Sequence, residues 1–403
     1  MRKIFLITGI ALLITAVFAR QIGIDNDEGW GKGRIFLLIS GSAFVLAGLL
    51  IFLLQDKLTK LKSYLLIFKN RHFNYSHSVQ ITLVSFAATI TVVIAYAWFA
   101  QPNGRNSPGN YNYYSELAIG FKTGHLYLAE KPSPALLSLS NPYDYALRKQ
   151  NNVEDFPWDV SLYNNRFYTY WGPAPSLILT IFSGEQLSHI GDNYVALAFA
   201  IGLFLYAALI AARFWQKSLP NVPSWLLGIS ALTMGLSAPV TTMLGDSRIY
   251  EAAVLGCQFF FIGGCYWAYS SISNDKPILW KPALAGIHWA FALGTRITIL
   301  PVILFSAAVT IIYIWRVFNT TAPKTYMQVL VILGAPLLLA LSGLSWYNWA
   351  RFGSIFEFGL KYQLTNVNYN VFRDSFSSRY ITGNLFNYFA HPVKILPKFP
   401  YIA

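Results

Sequence analysis

Apolar residues in this chain fall in blocks of roughly 16 to 21, near 4–19, 34–54, 79–99, 193–213, 224–243, 252–271, 282–299, 300–316 and 327–347. Crossing a bilayer takes about 20 such residues as a helix. The pattern therefore predicts an all-α integral membrane protein with about nine transmembrane helices. The blocks at 282–299 and 300–316 meet at ITILPVIL with almost no polar break. Only Pro301 marks a turn there, because proline disfavours helical geometry in the residue before it.

Between the third and fourth blocks lies a stretch of a different kind. YNNRFYTYWGPAPSLIL, residues 163–179, sets five aromatic side chains and two prolines before an apolar run that stops after about a dozen residues. That length suits a re-entrant or interfacial segment. Upstream, YNYYSELAIGFKTGHLYL places Tyr114, Leu117, Ala118, Phe121 and Leu126 at roughly helical spacing, which predicts an amphipathic helix on the membrane surface. The chain thus divides into N-terminal transmembrane helices (1–99), a long outer loop carrying interfacial helices (100–192), a transmembrane core (193–347) and an aromatic, Asn-rich outer tail without a further span (348–403). No internal repeat, low-complexity stretch or soluble domain interrupts this plan.

Composition agrees. The chain is 55% hydrophobic and 12% charged, with a mean hydropathy of +0.43, whereas soluble domains carry about 25% charge. The opening MRKIFLITGIALLITAVFAR imitates a signal peptide, but a second apolar block follows closely and no small-residue cleavage site stands out, so it reads as a retained first helix. A net charge of +13 raises the question of nucleic acid. The cations instead fall between apolar blocks, where the positive-inside rule and anionic lipid account for them. Lys57, Lys60, Lys62, Lys69, Arg71, Arg213, Lys217, Lys276, Lys281, Arg316 and Lys324 all reach one side if WGPAPSLILTIFS does not cross. The expected setting is a multi-pass protein of the bacterial inner membrane, N-terminus cytoplasmic. The acidic IDNDEG loop, residues 100–192, GDSRIYE and the tail then lie outside, with Phe167, Tyr168, Tyr170 and Trp171 at headgroup level. Cys257 and Cys265 share one apolar block and suggest neither a disulfide framework nor a metal site.

All 17 acidic residues lie outside the centres of the blocks, which counts against a pump with carboxylates at bilayer depth. What remains is an outward set: Glu116, Asp144, Glu154, Asp155, Asp159, Asp192, Asp246 and Glu251. The plainer reading of each is a solvated loop. Together with aromatic platforms and a few arginines they suit a polar acceptor, such as a hydroxyl, and a phosphorylated lipid donor. Outward His125 and His391 belong to no cluster with metal-ligand spacing, so no metal or other cofactor is expected. The sequons at Asn74 and Asn319 fall on the cytoplasmic side and carry no meaning there.

The order of these features resembles the polytopic GT-C glycosyltransferases that use polyprenyl-phosphate sugars, including protein O-mannosyltransferase-like (family 39-like) and aminoarabinose-transferase-like enzymes. YYSELAIGFKTGHLYL is similar to the family's first loop helix, WGPAPSLIL to its Pro-Pro-Leu segment, and GIHWAFALGTRITILPVIL to its Gly-rich helix ending in Thr-Lys or Thr-Arg. YNWARFGSIFEFGLKYQL resembles a segment of uncharacterised bacterial proteins of this kind. The matches cover roughly residues 100–403, and beyond them the family has more helices or a soluble domain, so the chain reads either as a shortened relative or as an incomplete sequence. The family places an Asp about four residues before the Tyr matched to Tyr114, where this chain has Asn110 and Tyr111. Asn cannot take a proton, and the substitutes are Glu116 and Asp159. The resemblance implies an inverting transfer from a polyprenyl-phosphate sugar lipid, with a carboxylate as general base and Arg296 on the phosphate. Arg296 reads equally as an arginine snorkelling to the interface. Arg248 is the second phosphate candidate, or else a partner of Asp246 or Glu251; Tyr114, Tyr170 and Trp171 complete the substrate-binding set. Two other readings stay open: a catalytically silent member that binds lipid or assists envelope assembly, and a transporter or flippase.

Overall fold

The computed structural model describes residues 2–19, 31–53, 77–100, 112–153, 155–245, 247–272, 278–318, 323–369, 371 and 377–391. The chain forms two units, residues 1–74 with 376–403, and residues 75–375. In the first, α1 (Arg2–Phe18) and α2 (Lys32–Leu53) pack as a pair through small residues. A Cβ on Gly9 would fall 2.9 Å from the carbonyl oxygen of Gly41, so the two backbones touch. A short helix, Tyr380–Phe389, with every residue exposed, belongs to the same unit.

The second unit holds α3 (His77–Phe99), the loop elements, and the helices that follow. These are α4 (Tyr113–Lys122), α5 (Pro134–Leu137), α6 (Tyr145–Gln150), the strands β1 (Ser161–Tyr163) and β2 (Arg166–Tyr168), α7 (Ala174–Leu179), α8 (Gly184–His189), α9 (Asp192–Ser218), α10 (Ser224–Gly235), α11 (Ala238–Gly245), α12 (Ile249–Ile272), α13 (Trp280–Thr295), α14 (Leu300–Phe318) and α15 (Pro323–Phe352). Helix α9 packs on α12, α12 on α13 and α13 on α15, while α3 lies against α9 and α10. Glycines allow the closest of these approaches: a Cβ on Gly286 of α13 would stand 2.5 Å from the Leu333 carbonyl oxygen of α15.

The protein is a helical, multi-pass membrane protein. Five helices among the described residues are long and apolar enough to cross a bilayer, and α10 with α11, bent by 45°, makes a sixth if the pair is one broken span. The nine expected spans are not all of that kind. In the first two blocks the described apolar helices are shorter, 6–18 and 33–46, and α13 stops at Thr295 after 16 residues. The break after α13 falls at Arg296, whose backbone is extended (φ −147, ψ 110), and not immediately before Pro301. Pro301 instead occupies the first turn of α14, where its missing N–H is no loss.

The loop has its own small core, with Leu117, Leu128, Leu136 and Val160 fully buried. β1 and β2 form an antiparallel hairpin, a small departure from the all-α expectation. Its two-residue turn is Asn164–Asn165, both at positive φ (47 and 57), which asparagine tolerates well. Leu126 lies beyond the end of α4, so the amphipathic helix is shorter than its spacing suggested. The tail from 353 to 365 folds back onto this loop. Ser161 bridges to Gln363, the Asp159 N–H donates to the Leu364 carbonyl at 3.1 Å, and the Leu364 N–H donates to Val160 at 2.8 Å. Two buried arginines fasten the arrangement: Arg148 donates to the Thr365 carbonyl and Arg351 to the Thr169 carbonyl, both at 2.6 Å.

Candidate functional site

Helix α4 has no side-chain cap of its own at Asn112. The cap comes from Asp192, the first residue of α9, whose carboxylate accepts the backbone N–H groups of Tyr113 (3.1 Å) and Tyr114 (3.2 Å). One buried carboxylate thus satisfies the orphan donors of α4 and sits in the first turn of α9, where negative charge is favoured. Ser115 Oγ adds a bond to the Ile190 carbonyl at 2.6 Å. Lys122 closes the other end by donating to the carbonyls of Thr180 (3.2 Å) and Phe182 (2.8 Å), just beyond α7. Asp192→Ala leaves two buried N–H groups without an acceptor and is expected to cost about 2–3 kcal/mol. A lowered unfolding temperature of the detergent-purified protein checks this.

The quoted aromatic-proline segment yields α7, six residues long and so about 9 Å, far short of a bilayer. It is pressed against the end of α13. The Gly172 N–H donates to the Thr295 carbonyl at 3.2 Å, and a Cβ on Gly172 would lie 2.1 Å from the Gly294 carbonyl oxygen. WGPAP and ALGTR are therefore in backbone contact. Beside this contact opens a groove of about 470 Å³, lined almost wholly by apolar groups that include Phe121, Pro173, Leu177, Ile287, Phe291 and Leu339.

Around the same contact the structure gathers several of the expected site residues. Trp171 packs edge-on against Tyr113 (5.3 Å between ring centres) and Tyr250 (5.2 Å), with Tyr170 at 4.3 Å. Burial, reinforced by the charge of Asp159, raises the Tyr170 hydroxyl pKa, while the Arg296 guanidinium works against it. Tyr170 therefore feels both the acid and the cation. Tyr114 is fully buried; burial first, then Asp192, push its hydroxyl upward, again opposed by Arg296. Among the described residues its hydroxyl has no hydrogen-bond partner, and neither do Trp171 Nε1 and Asp159 Oδ1. Arg296 is half-buried, and among the described residues its guanidinium makes no hydrogen bond or ion pair. It does not spend its donors on the carbonyls at the end of α13.

Asp159 is buried and left-handed (φ 60), a conformation costing of order 1 kcal/mol for a residue with a Cβ. Burial raises its carboxyl pKa above the ordinary range, and hydrogen bonds from Thr365 and Gln363 offset part of that. Glu116 lies on α4, half-buried, its pKa raised by burial and by the charge of Glu130. It faces that second acid. The other outward carboxylates divide by use. Asp144 caps α6 by accepting from Ala146 (2.9 Å) and Leu147 (3.4 Å), Glu251 accepts the Arg248 N–H at 2.9 Å to close the first turn of α12, and Asp155 is exposed. The Arg248 side chain is exposed.

Three expectations change. Phe167, Tyr168 and Trp171 do not lie at headgroup level as free rings, because the loop core buries them at 1%, 6% and 4% exposure. Tyr114 and Trp171 are likewise interior, which leaves the half-buried Tyr170 as the accessible ring of the substrate-binding set. The tail is not a mere extension, since Leu364 and Gln363 bond to the Asp159 backbone. Asn74, Asn110, Tyr111, Glu154, Asp246, Asn319, the IDNDEG loop and the cations at 57–71 and 276 lie outside the described residues. Among the described residues no three metal-ligating side chains gather, and His125 instead stacks on Tyr127 at 4.7 Å. Arg351, Gln363 and Gly172 escaped the sequence reading. An arginine closing the apolar run YNWAR was the one visible signal.

No family model, curated protein or solved structure matches the sequence.

Proposed function

We propose that this membrane protein transfers a sugar from a polyprenyl-phosphate donor to a hydroxyl acceptor, at the junction of the 100–192 loop with the end of α13. The observation that carries the proposal is Arg296: a half-buried guanidinium whose donors are unused among the described residues, electrostatically coupled to Tyr114 and Tyr170, next to the Gly172–Gly294 contact that borders the apolar groove. A planar fork matched to phosphate oxygens beside a greasy channel suits a lipid phosphate. The sugar rests on the resemblance to GT-C enzymes. Of the two candidate bases, Asp159 is favoured over Glu116, because it shares Tyr170 with Arg296 and carries an unpartnered carboxylate oxygen.

In this scheme Asp159 accepts the acceptor's hydroxyl proton as the oxygen bonds to the anomeric carbon. The bond to the phosphate oxygen breaks, and its electron pair leaves on the polyprenyl phosphate, whose charge meets Arg296. The outer face of the bacterial inner membrane, and a nine-span topology with a cytoplasmic N-terminus, complete the reading, supported by the one-sided distribution of Lys and Arg.

The test is label transfer from a polyprenyl-phosphate sugar by the purified full-length protein. Arg296→Gln is expected to lower kcat/KM about 10²-fold, the usual loss for one group meeting developing charge, and Glu116→Gln to leave turnover within a few-fold. Unchanged turnover in Arg296→Gln would remove the phosphate assignment, and donor binding without any turnover in the wild type would favour the silent lipid-binding reading.

A further inference from the structure

A second cationic site lies at the far end of the same helices. Arg213 stands 21 residues along α9 from Asp192, about 32 Å at helical rise, close to the thickness of a bilayer's hydrocarbon core. Lys281 is in the first turn of α13, whose other end carries Arg296. Both cations converge on one residue of α12: Arg213 Nη1 donates to Ser270 Oγ, and Lys281 Nζ donates to the Ser270 carbonyl at 3.1 Å. Among the described residues no carboxylate pairs with either. The carbonyl end of α12 offsets roughly half a charge, against two cations. Among the described residues, two cations therefore meet about half a compensating charge.

Its surroundings narrow the anion. The Arg213 guanidinium lies over the Tyr266 ring at 4.6 Å and Lys281 Nζ beside Trp280 at 5.9 Å, with Trp267 between them, 5.0 Å from Tyr266 and 5.3 Å from Trp280 by ring centres. Amphipathic rings of this kind belong at the membrane–water boundary. Basic pockets between transmembrane helices take lipid headgroups there.

We propose that Arg213 and Lys281, joined through Ser270 and framed by Tyr266, Trp267 and Trp280, bind the phosphate of an anionic membrane lipid at the interface opposite the transfer site. Because the two sites stand a helix length apart, failure of this proposal leaves the transfer proposal untouched. The experiment is native mass spectrometry of the full-length protein in detergent, titrated with phosphatidylglycerol or with phosphatidylcholine of the same chains. The wild type is expected to prefer phosphatidylglycerol. Each lost cation is worth about fivefold in affinity, so Arg213→Gln with Lys281→Gln together weaken phosphatidylglycerol about 25-fold and leave phosphatidylcholine unchanged. Arg213→Lys with Lys281→Arg keeps the preference. Should the double Gln variant fail to fold, the single Lys281→Gln, at a half-exposed position, carries the test through its fivefold loss. Equal binding of the two lipids by the wild type, an undiminished preference in the Gln variants, or displacement of the lipid by millimolar inorganic phosphate would each overturn the assignment.

Discussion

Asp159→Asn is expected to lower label transfer by about 10² to 10⁴, the range that general-base assistance supplies. Asn keeps the shape, and the bonds of Leu364 and Gln363 to the residue's backbone are untouched, so what it removes is the ability to take a proton. The pH profile separates this from a folding defect. A general base works deprotonated, and burial has raised this carboxyl above the ordinary value near 3.9. Wild-type kcat/KM should therefore climb with pH along an acid limb displaced upward from that value, and the limb should vanish in the variant. Stability moves the other way. A carboxyl whose folded pKa is raised stabilises the native state fully below its unfolded pKa, and that contribution is lost as pH rises through the folded pKa. Above the folded pKa the charged Asp159 is a burden, so there Asp159→Asn should unfold at the same temperature as the wild type or higher. Low turnover with lowered stability would mean that the residue is structural.

The second large effect concerns Gly172→Ala. Its new Cβ would sit 2.1 Å from the Gly294 carbonyl oxygen and 2.7 Å from that of Thr295. Both obstacles are backbone at the end of a packed helix, so no side-chain rotation relieves them. Either α7 lifts away from α13, breaking the Gly172–Thr295 hydrogen bond, or α13 shifts against α15, where Gly286 already touches Leu333. Overpacking and the lost bond together should cost about 4 kcal/mol. The expected result is little folded protein, or folded protein with both the donor site and the groove displaced. Gly184→Ala is the control, because a Cβ there meets nothing within 4 Å. Equal yield and turnover for the two variants would contradict the contact.

The membrane character of the chain was legible because hydropathy blocks state it directly. So was the shortness of the WGPAP segment, whose helix runs six residues. Where the sequence misled, two signals competed and the louder won. Pro301 stood out as the breaker between two blocks, yet the extended residue is Arg296, while proline fits the next helix's first turn. The aromatic run looked like a membrane belt because ring composition does not tell lipid from protein; the loop's own core, around Leu128 and Val160, claims those rings. Of the two candidate bases, Glu116 was singled out by nearness in sequence to Tyr114, and sequence spacing gave no sign of the charge of Glu130 that raises its pKa. The tail's role left no trace. Arg148, Arg351 and the strand bridge at Gln363 act on backbone carbonyls and amides, which every residue carries.

The dependence of Asp159 on Leu364 and Gln363 has a consequence for biogenesis. The ribosome delivers Asp159 some 200 residues before the segment that fixes its backbone. Until α15 has been inserted and the chain has turned back, the acid has nothing to hold its left-handed backbone. A nascent protein thus carries this acid unassembled until α15 and the segment that follows it have been made.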